Sequence, residues 1–193
     1  MPIEDESIDV AAQNCLFNIF KMEDLKIAGA EMYRVLKPHG RLVMSDPTCE
    51  DPMNDELRND DLLRALCLSG SIPIKDYVKV LTDAGFGTIE IRARKSYRVL
   101  TPNHFPTDKL IHIESIEIAA IKDPMPADGP CVFTGKTAIY YGDEEYFDDN
   151  LGHVLLQNQP LAVCDKTAAA LGRASDQIHV SPSTWHYNGG GCC

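Results

Sequence analysis

IDVAAQNCLFNIF (residues 8–20), EDLKIAGAEMYRVLKPHG (residues 23–40) and RLVMSDP (residues 41–47) are the stretches of sequence that decide the fold. The short apolar run Ile8–Ala12 predicts a parallel strand covered on both faces. Apolar residues recur every three or four positions from about Asp24 to Leu36, which predicts an amphipathic helix. Pro38 and Gly40 predict a break before a second strand, Arg41–Ser45. The three stretches together predict a βαβ unit.

Polar side chains follow each predicted strand. Asn14 and Cys15 come after the first strand, and Asp46 comes after the second. Open parallel sheets place their ligands at the carboxyl ends of the strands. We therefore expect Asp46 to lie beside Asn14 and Cys15.

This arrangement resembles the class I S-adenosylmethionine methyltransferases, through a strand ending near Asn-Cys, a helix closing in YRVLKPHG and a strand ending in SDP. The turn in that class usually has two glycines, and His39 replaces the first of them here. The finer resemblance is to the arsenite methyltransferases. It rests on QNC (residues 13–15), CLSG (residues 67–70) and the closing GGGCC (residues 189–193).

The resemblance implies an α/β fold: the C-terminal part of a Rossmann-like class I methyltransferase sheet with an inserted arsenic-binding cap, plus a small α+β C-terminal domain. It implies three segments, which are the end of the Rossmann-like domain (residues 1–47), the arsenic-binding region with the last sheet strands (48–123) and the C-terminal domain (124–193). The glycine-rich cofactor turn of the family normally precedes such a unit, and only seven residues precede Ile8. We therefore expect the C-terminal portion of a longer enzyme.

The composition narrows the classes of partner. The net charge of −11 at pH 7 makes nucleic acid and anionic membrane poor partners. No apolar run approaches about 18 residues, and MPIEDESIDV lacks the regions of a signal peptide. These features predict a cytoplasmic protein without a membrane partner.

The cysteines carry the predicted chemistry. There are seven, at positions 15, 49, 67, 131, 164, 192 and 193. An odd number without CxxC pairs favours thiol chemistry over a disulfide framework, although a single cysteine is more often a small buried hydrophobe than a ligand. The histidines do not show zinc-ligand spacing with Cys164, and no metal site is predicted.

The resemblance assigns the site residues. Cys15 and Cys67 match the family cysteines that ligate arsenic, and they are predicted to be both the catalytic and the substrate-binding residues. Asn14 and Cys15 are predicted to line the cofactor pocket. The cofactor implied is S-adenosylmethionine, although its main binding motif is absent from this chain, and the partners implied are trivalent arsenic and a thiol reductant such as glutathione or thioredoxin. We expect Cys15 and Cys67 to approach within about 10 Å across the cleft.

Three functions compete at this point. The first is S-adenosylmethionine-dependent methylation of trivalent arsenic by the longer enzyme, and the second is arsenic binding without catalysis. The third is a class I methyltransferase acting on a small organic substrate, in which the cysteines are packing residues. An enzyme of the third kind has no need for two accessible thiols facing one cleft.

The rest of the chain predicts further elements. A surface connection leads from Pro47 to a helix capped by Asp60 or Asp61 and ending at Gly70, with Leu62, Leu63 and Leu66 on its apolar face and Cys67 in its last turn. A helix after Pro73, strands at TIEIRARK and Ile111–Ile121, and a boundary at KDPMPADGP follow. Beyond it we expect a strand at VFTGKTAIYYG, an acidic loop at DEEYFDDN, a helix at Val163–Leu171 and a mobile tail, SPSTWHYNGGGCC.

Overall fold

The computed structural model describes residues 1–186 of the chain. The chain divides into two compact units, Met1–Pro130 and Cys131–Cys193. The predicted division into three segments stays a prediction. Among the described helices, none combines the length and apolar character that a membrane span requires.

The βαβ unit is confirmed. Strand β1 (Ile8–Asn14) leads through a 3₁₀ turn (Phe17–Ile19) into helix α1 (Met22–Val35), which is followed by strand β2 (Leu36–Cys49). The two strands are parallel, with Ala12 opposite Val43 and Asn14 opposite Ser45. Helix α1 buries Leu25 and Val35, while Ile27 is 67% exposed, as expected of an amphipathic helix packed on one side of a sheet.

Two details of this unit differ from the sequence prediction. Among the described strands β1 pairs only with β2, so it lies at an edge of the sheet, and Val10 is 49% exposed instead of covered on both faces. Strand β2 also runs through Pro38 and Gly40 without the predicted break. His39 has a φ of 63°, a left-handed conformation that favours glycine. A Cβ on Gly40 would lie 2.8 Å from the Lys37 carbonyl oxygen, so Gly40 permits a close backbone approach.

The remaining elements of the first unit complete a mixed sheet in the order β1-β2-β5-β4, with β3 parallel to β2. Strand β5 is antiparallel to both β2 and β4, and both predicted late strands are confirmed. The bounds are α2 (Asp55–Arg58), α3 (Asp61–Ala65), β3 (Ile72–Pro73), α4 (Ile74–Asp83), β4 (Thr88–Leu100) and β5 (Ile111–Ile121).

The segment between Pro47 and Gly70 holds more structure than its polar sequence indicates. Its supposed surface connection contains α2, capped by the Asn54 side chain, which accepts from the Leu57 N–H at 2.9 Å. Asp60 caps α3 in the same way. The predicted apolar face of α3 is wrong, because Leu62 and Leu66 are 70% and 52% exposed and only Leu63 is buried. A helix of five residues has room for a single buried contact.

The second unit contains a three-stranded antiparallel sheet in the order β10-β7-β11, a two-stranded hairpin of β8 and β9, and helix α5. Its apolar core joins the sheet to α5 through residues such as Tyr140, Leu155 and Leu171. The bounds are β6 (Cys131–Phe133), β7 (Lys136–Tyr140), β8 (Tyr146–Asp148), β9 (Val154–Leu156), β10 (Pro160–Val163), α5 (Asp165–Ala174) and β11 (Ile178–Val180).

The second unit also corrects two predictions. The single strand expected at VFTGKTAIYYG is two strands, because the chain turns at Gly135, whose φ is 84°. The expected acidic loop contains β8, which pairs with β9 and so gains a partner that its acidic sequence does not indicate. The predicted helix is confirmed as α5. Of the predicted mobile tail, residues 187–193 lie outside the described residues, and Cys192 and Cys193 are among them.

Candidate functional site

Cys15 is the first residue after strand β1. Its backbone N–H donates to the Ser45 carbonyl oxygen at 2.8 Å, which continues the pairing of β1 with β2 by one further bond. The chain then turns, because Cys15 has a φ of 53°. A residue with a Cβ rarely adopts that left-handed conformation. The turn leaves the Cys15 thiol half-buried at the carboxyl end of the parallel pair.

Cys67 follows helix α3 instead of lying in its last turn, as had been predicted. Its N–H donates to the Arg64 carbonyl at 2.9 Å, and its φ of 58° is also left-handed. Leu63 and Leu68 on either side of it are buried in an apolar cluster with Met53, Leu57 and Leu100. The buried leucines fix the loop, and the Cys67 thiol stays half-buried.

The two thiols meet. The Cys67 Sγ lies 3.8 Å from the Cys15 carbonyl oxygen, to which it donates a hydrogen bond, so the two cysteines are in contact. The predicted approach of Cys15 and Cys67 is therefore confirmed. Both are free cysteines.

Gly70 explains how the two loops come so close. A Cβ on Gly70 would lie 1.4 Å from the Asn18 carbonyl oxygen and 2.5 Å from the Asn18 carbonyl carbon. Real Cβ atoms do not approach backbone atoms so closely, and only glycine fits. The last residue of CLSG thus packs directly on the loop that follows QNC.

Asp46 fixes the loop around Cys15 by hydrogen bonds to residues on either side of it. Its carboxylate accepts hydrogen bonds from the Gln13 amide, from the Asn18 backbone N–H at 3.1 Å and from the Asn18 side-chain N–H at 2.9 Å. Asp46 and Asn18 are each only 1% exposed. The expected place of Asp46 beside Cys15 is confirmed, whereas the role of Asn18 carried no signal in the sequence.

The electrostatics keep Cys15 protonated at neutral pH. Burial raises the pKa of its thiol above 9.0, and the neighbouring Cys67 thiol and the Asp46 carboxylate raise it further, while a hydrogen bond from Asn18 opposes them. Burial also raises the pKa of Asp46, against the effect of its hydrogen bonds. A ligand that binds the Cys15 sulfur must therefore displace its proton.

Cys49 and Tyr77 lie near the pair without offering a ligand. Cys49 is 2% exposed and donates to the Ser71 carbonyl at 3.3 Å, and burial raises its pKa to about 12. Tyr77 is 1% exposed and donates to the Pro47 carbonyl at 3.3 Å. Burial, followed by the charges of Asp46 and the cysteines, raises its pKa. Both are core residues beneath the site.

Asn14, predicted to contact the cofactor, ends β1 with an exposed side chain. Its backbone is fixed opposite Ser45, so its amide is free to face a ligand at the strand end. Cys15, the other residue predicted to line the cofactor pocket, follows Asn14 directly in the chain. The cofactor role of both residues stays a prediction.

The comparisons with known proteins agree with this geometry. Residues 1–44 match the model of a methyltransferase domain family. The chain is 32% identical over 91 residues to the arsenite methyltransferase of Halobacterium salinarum. The matched segment covers 47% of this chain and 23% of that protein. It is 31% identical over 135 residues to the mouse arsenite methyltransferase, covering 70% of this chain and 30% of that protein.

A solved structure extends the likeness to nearly the whole chain. The arsenic (III) S-adenosylmethionine methyltransferase from Chlamydomonas reinhardtii matches 96% of this chain and 64% of its own, with a TM-score of 0.56 and 21% identity. At that identity the match shows the fold. The chain spans less than a third of the curated relatives described above.

Fold, family match and strand-end site together define a class I methyltransferase fold. Within that class, the sequence resemblance to the arsenite methyltransferases is confirmed at 30–35% identity over parts of the chain.

Proposed function

We propose that this chain carries the arsenic-binding part of an S-adenosylmethionine-dependent arsenite methyltransferase, with Cys15 and Cys67 as the arsenic ligands. The observation that supports the proposal is the contact of the Cys67 thiol with Cys15 at the carboxyl end of β1. Both thiols are half-buried, in contrast to Cys49. Trivalent arsenic prefers soft sulfur ligands, and two adjacent thiols meet that preference.

The chain's residues position the substrate. Each sulfur that binds arsenic loses its proton and adds electron density to arsenic, which keeps a lone pair. The Asp46 network and Gly70 hold the two sulfurs in one place, so the lone pair has a fixed direction. A methyl transfer to that lone pair needs no general base.

S-adenosylmethionine supplies, when bound, an electrophilic methyl group whose sulfonium leaves as a neutral thioether. Asn14 would contact it at the end of β1, beside Cys15. Methyl transfer leaves arsenic pentavalent, and a thiol reductant would supply the two electrons that return it to the trivalent state. Glutathione or thioredoxin has the required chemistry.

Phenylarsine oxide tests the ligation step, because it has two exchangeable positions and needs only two thiols. We use a parent chain carrying Cys131→Ser, Cys164→Ser, Cys192→Ser and Cys193→Ser, reduced with a phosphine that does not chelate arsenic. One equivalent of the reagent should give one adduct by intact mass spectrometry. Cys15→Ser or Cys67→Ser should each abolish it, because a single thiol lacks the effective concentration of a chelate.

Cys49→Ser is the matched control, since Cys49 is buried and protonated. It should keep the adduct. If the parent with Cys15→Ser and Cys67→Ser keeps the adduct as fully as the parent itself, these cysteines are packing residues and the arsenic function is wrong. The competing class, a methyltransferase of small organic molecules, would then be favoured.

A further inference from the structure

A second pair of thiols lies within the C-terminal unit and shares no residue with the site described above. Cys131 begins strand β6 and is half-buried, whereas Cys164 is the N-cap residue of helix α5 and is 4% exposed. Burial and then the neighbouring Cys164 thiol raise the pKa of Cys131, whereas the Lys166 ammonium lowers it, so both groups lie beside Cys131. Both cysteines are free. Neither belongs to a motif that carried the family resemblance.

The surroundings of the pair are fixed by hydrogen bonds between β6 and α5. The hydroxyl of Thr134, the residue after β6, donates at 2.7 Å to the carboxylate of Asp165, the residue after Cys164. Lys136 pairs with the same carboxylate at 3.3 Å. The two sulfurs are therefore held together by the fold of this unit.

A chain of polar groups leads from the buried thiol to a histidine. The Cys164 Sγ lies 3.2 Å from the Thr167 hydroxyl, and that hydroxyl lies 3.4 Å from the His153 Nε2. The other ring nitrogen of His153, Nδ1, lies 2.7 Å from the Asp149 carboxylate. Thr167 is 8% exposed. These polar groups, from Cys164 through Thr167 to His153, therefore form a proton relay through the interior of the unit.

The direction of the relay follows from Asp149. Burial opposes ionisation of this carboxyl, but hydrogen bonds from the His153 and Leu151 backbone N–H groups and from the His153 ring lower its pKa. A carboxylate at Nδ1 keeps the proton on that nitrogen and leaves Nε2 as the acceptor. The Thr167 hydroxyl can then donate to Nε2 while it accepts from the Cys164 thiol.

We propose that Cys131 and Cys164 form a second dithiol site, one that chelates trivalent arsenicals with two exchangeable positions, and that Thr167 and His153 take up the Cys164 proton. Two S–H bonds break and two S–As bonds form when phenylarsine oxide binds. The oxygen of the reagent leaves as water with both protons, one of them returned through His153. No electron is transferred. The proposal is independent of the Cys15 and Cys67 site.

The test uses a chain carrying Cys15→Ser, Cys67→Ser, Cys192→Ser and Cys193→Ser, reduced with a phosphine. One equivalent of phenylarsine oxide should give one adduct by intact mass spectrometry. Adding Cys131→Ser should abolish the adduct, whereas adding Cys49→Ser should keep it. Cys131 is half-buried, so this exchange should leave the thermal unfolding temperature unchanged, and Cys131→Ala provides a second variant if it does not. An adduct that survives both Cys131 variants, or is missing from the reduced parent, overturns the proposal.

A second measurement addresses the relay alone. Thr167→Val has nearly the same shape but cannot pass a proton, and Thr167→Ser keeps the hydroxyl. Since positioned proton acceptors accelerate such steps by about a hundredfold or more, Thr167→Val should slow adduct formation at least about tenfold at neutral pH with unchanged final stoichiometry. Thr167→Ser should react at nearly the parent rate. Equal rates for the parent and Thr167→Val would remove His153 from the proposal.

Discussion

At the scale of single residues, the two site cysteines share an unusual backbone. Cys15 and Cys67 have φ values of 53° and 58°, in a region where a side chain costs on the order of 1 kcal/mol or more. Each lies at a turn where glycine or asparagine would be less strained.

Removing the Cys67 thiol should have opposite effects on two kinds of reagent. An alkylating agent should react faster with Cys15, whereas a reagent that needs both thiols should no longer bind at this site. Burial and then the neighbouring Cys67 thiol raise the pKa of Cys15. In Cys67→Ala the pKa of Cys15 should therefore fall, which increases the thiolate fraction at pH 8. We expect iodoacetamide to alkylate Cys15 faster in this variant, because the thiolate is the nucleophile. Chelation of phenylarsine oxide at this site should be lost in the same variant.

Peptide mapping after timed alkylation measures the rate at Cys15 alone. Cys49→Ala is the control, because Cys49 does not contribute to the shifted pKa of Cys15, and its rate should match the unchanged chain. A slower or equal rate in Cys67→Ala would mean that the two thiols do not interact.

The sequence predicted these residues only in part. Cys15, Cys67 and Asp46 follow from motifs at strand and loop ends. Asn18, which bonds Asp46 with both its backbone and its side chain, does not, because an asparagine in a short polar stretch has no periodic signal. The Cys131 and Cys164 pair was missed for a different reason: neither cysteine belongs to a motif of the family resemblance, which is what linked Cys15 to Cys67.

At the scale of elements, the site is a contact between two loops. One follows β1, and the other follows α3 and is held by Leu63 and Leu68 in the apolar core. Gly70 sets their separation, because its missing side chain lets the second loop rest on the Asn18 carbonyl. The helix and strand pattern predicted the elements, but loop packing depends on atoms that no local pattern specifies. This is why Cys67 was predicted within α3 and lies beyond it.

Gly70→Ala tests the importance of that contact. Its Cβ would overlap the Asn18 carbonyl, so the loops must separate at a cost of about 3 kcal/mol, and the thiols must separate with them. We expect a lower free energy of unfolding in urea and loss of the phenylarsine oxide adduct at Cys15 and Cys67.

Gly172→Ala is the matched control, because this glycine lies within α5 and its Cβ would find ordinary contact with Val180 at 3.6 Å. Alanine is favoured over glycine in a helix by about 1 kcal/mol, so Gly172→Ala should keep or raise stability and keep the adduct. Full adduct formation by Gly70→Ala would show that the loop contact does not position the thiols.

At the scale of the whole molecule, the chain combines the late strands of a class I methyltransferase sheet with a separate C-terminal unit. The parallel pair and the presence of strands β4 and β5 followed from periodicity and from the resemblance, whereas the antiparallel direction of β5 was not predicted. The edge position of β1 did not, since a short apolar run reads the same at an edge and in the interior of a sheet. Hairpin β8–β9 was missed because acidic residues surround the short strand β8, and such a sequence is typical of a loop.

The cofactor contacts predicted from the sequence imply weak binding of S-adenosylmethionine. Asn14 and Cys15 lie at a single strand end, where contacts would bury little of a cofactor of that size. Isothermal titration calorimetry of the 193-residue chain should therefore detect weak binding or none. A micromolar dissociation constant would place the cofactor site elsewhere on this chain.

The central claim is that Cys15 and Cys67 ligate one arsenic atom together, and X-ray absorption at the arsenic edge tests it most directly by counting sulfur neighbours. The sample is the phenylarsine oxide complex of the chain carrying Cys131→Ser, Cys164→Ser, Cys192→Ser and Cys193→Ser. We expect two sulfur neighbours per arsenic atom, and at most one after Cys67→Ser. Fewer than two sulfurs in the parent complex, or an unchanged count after both Cys15→Ser and Cys67→Ser, would contradict the account.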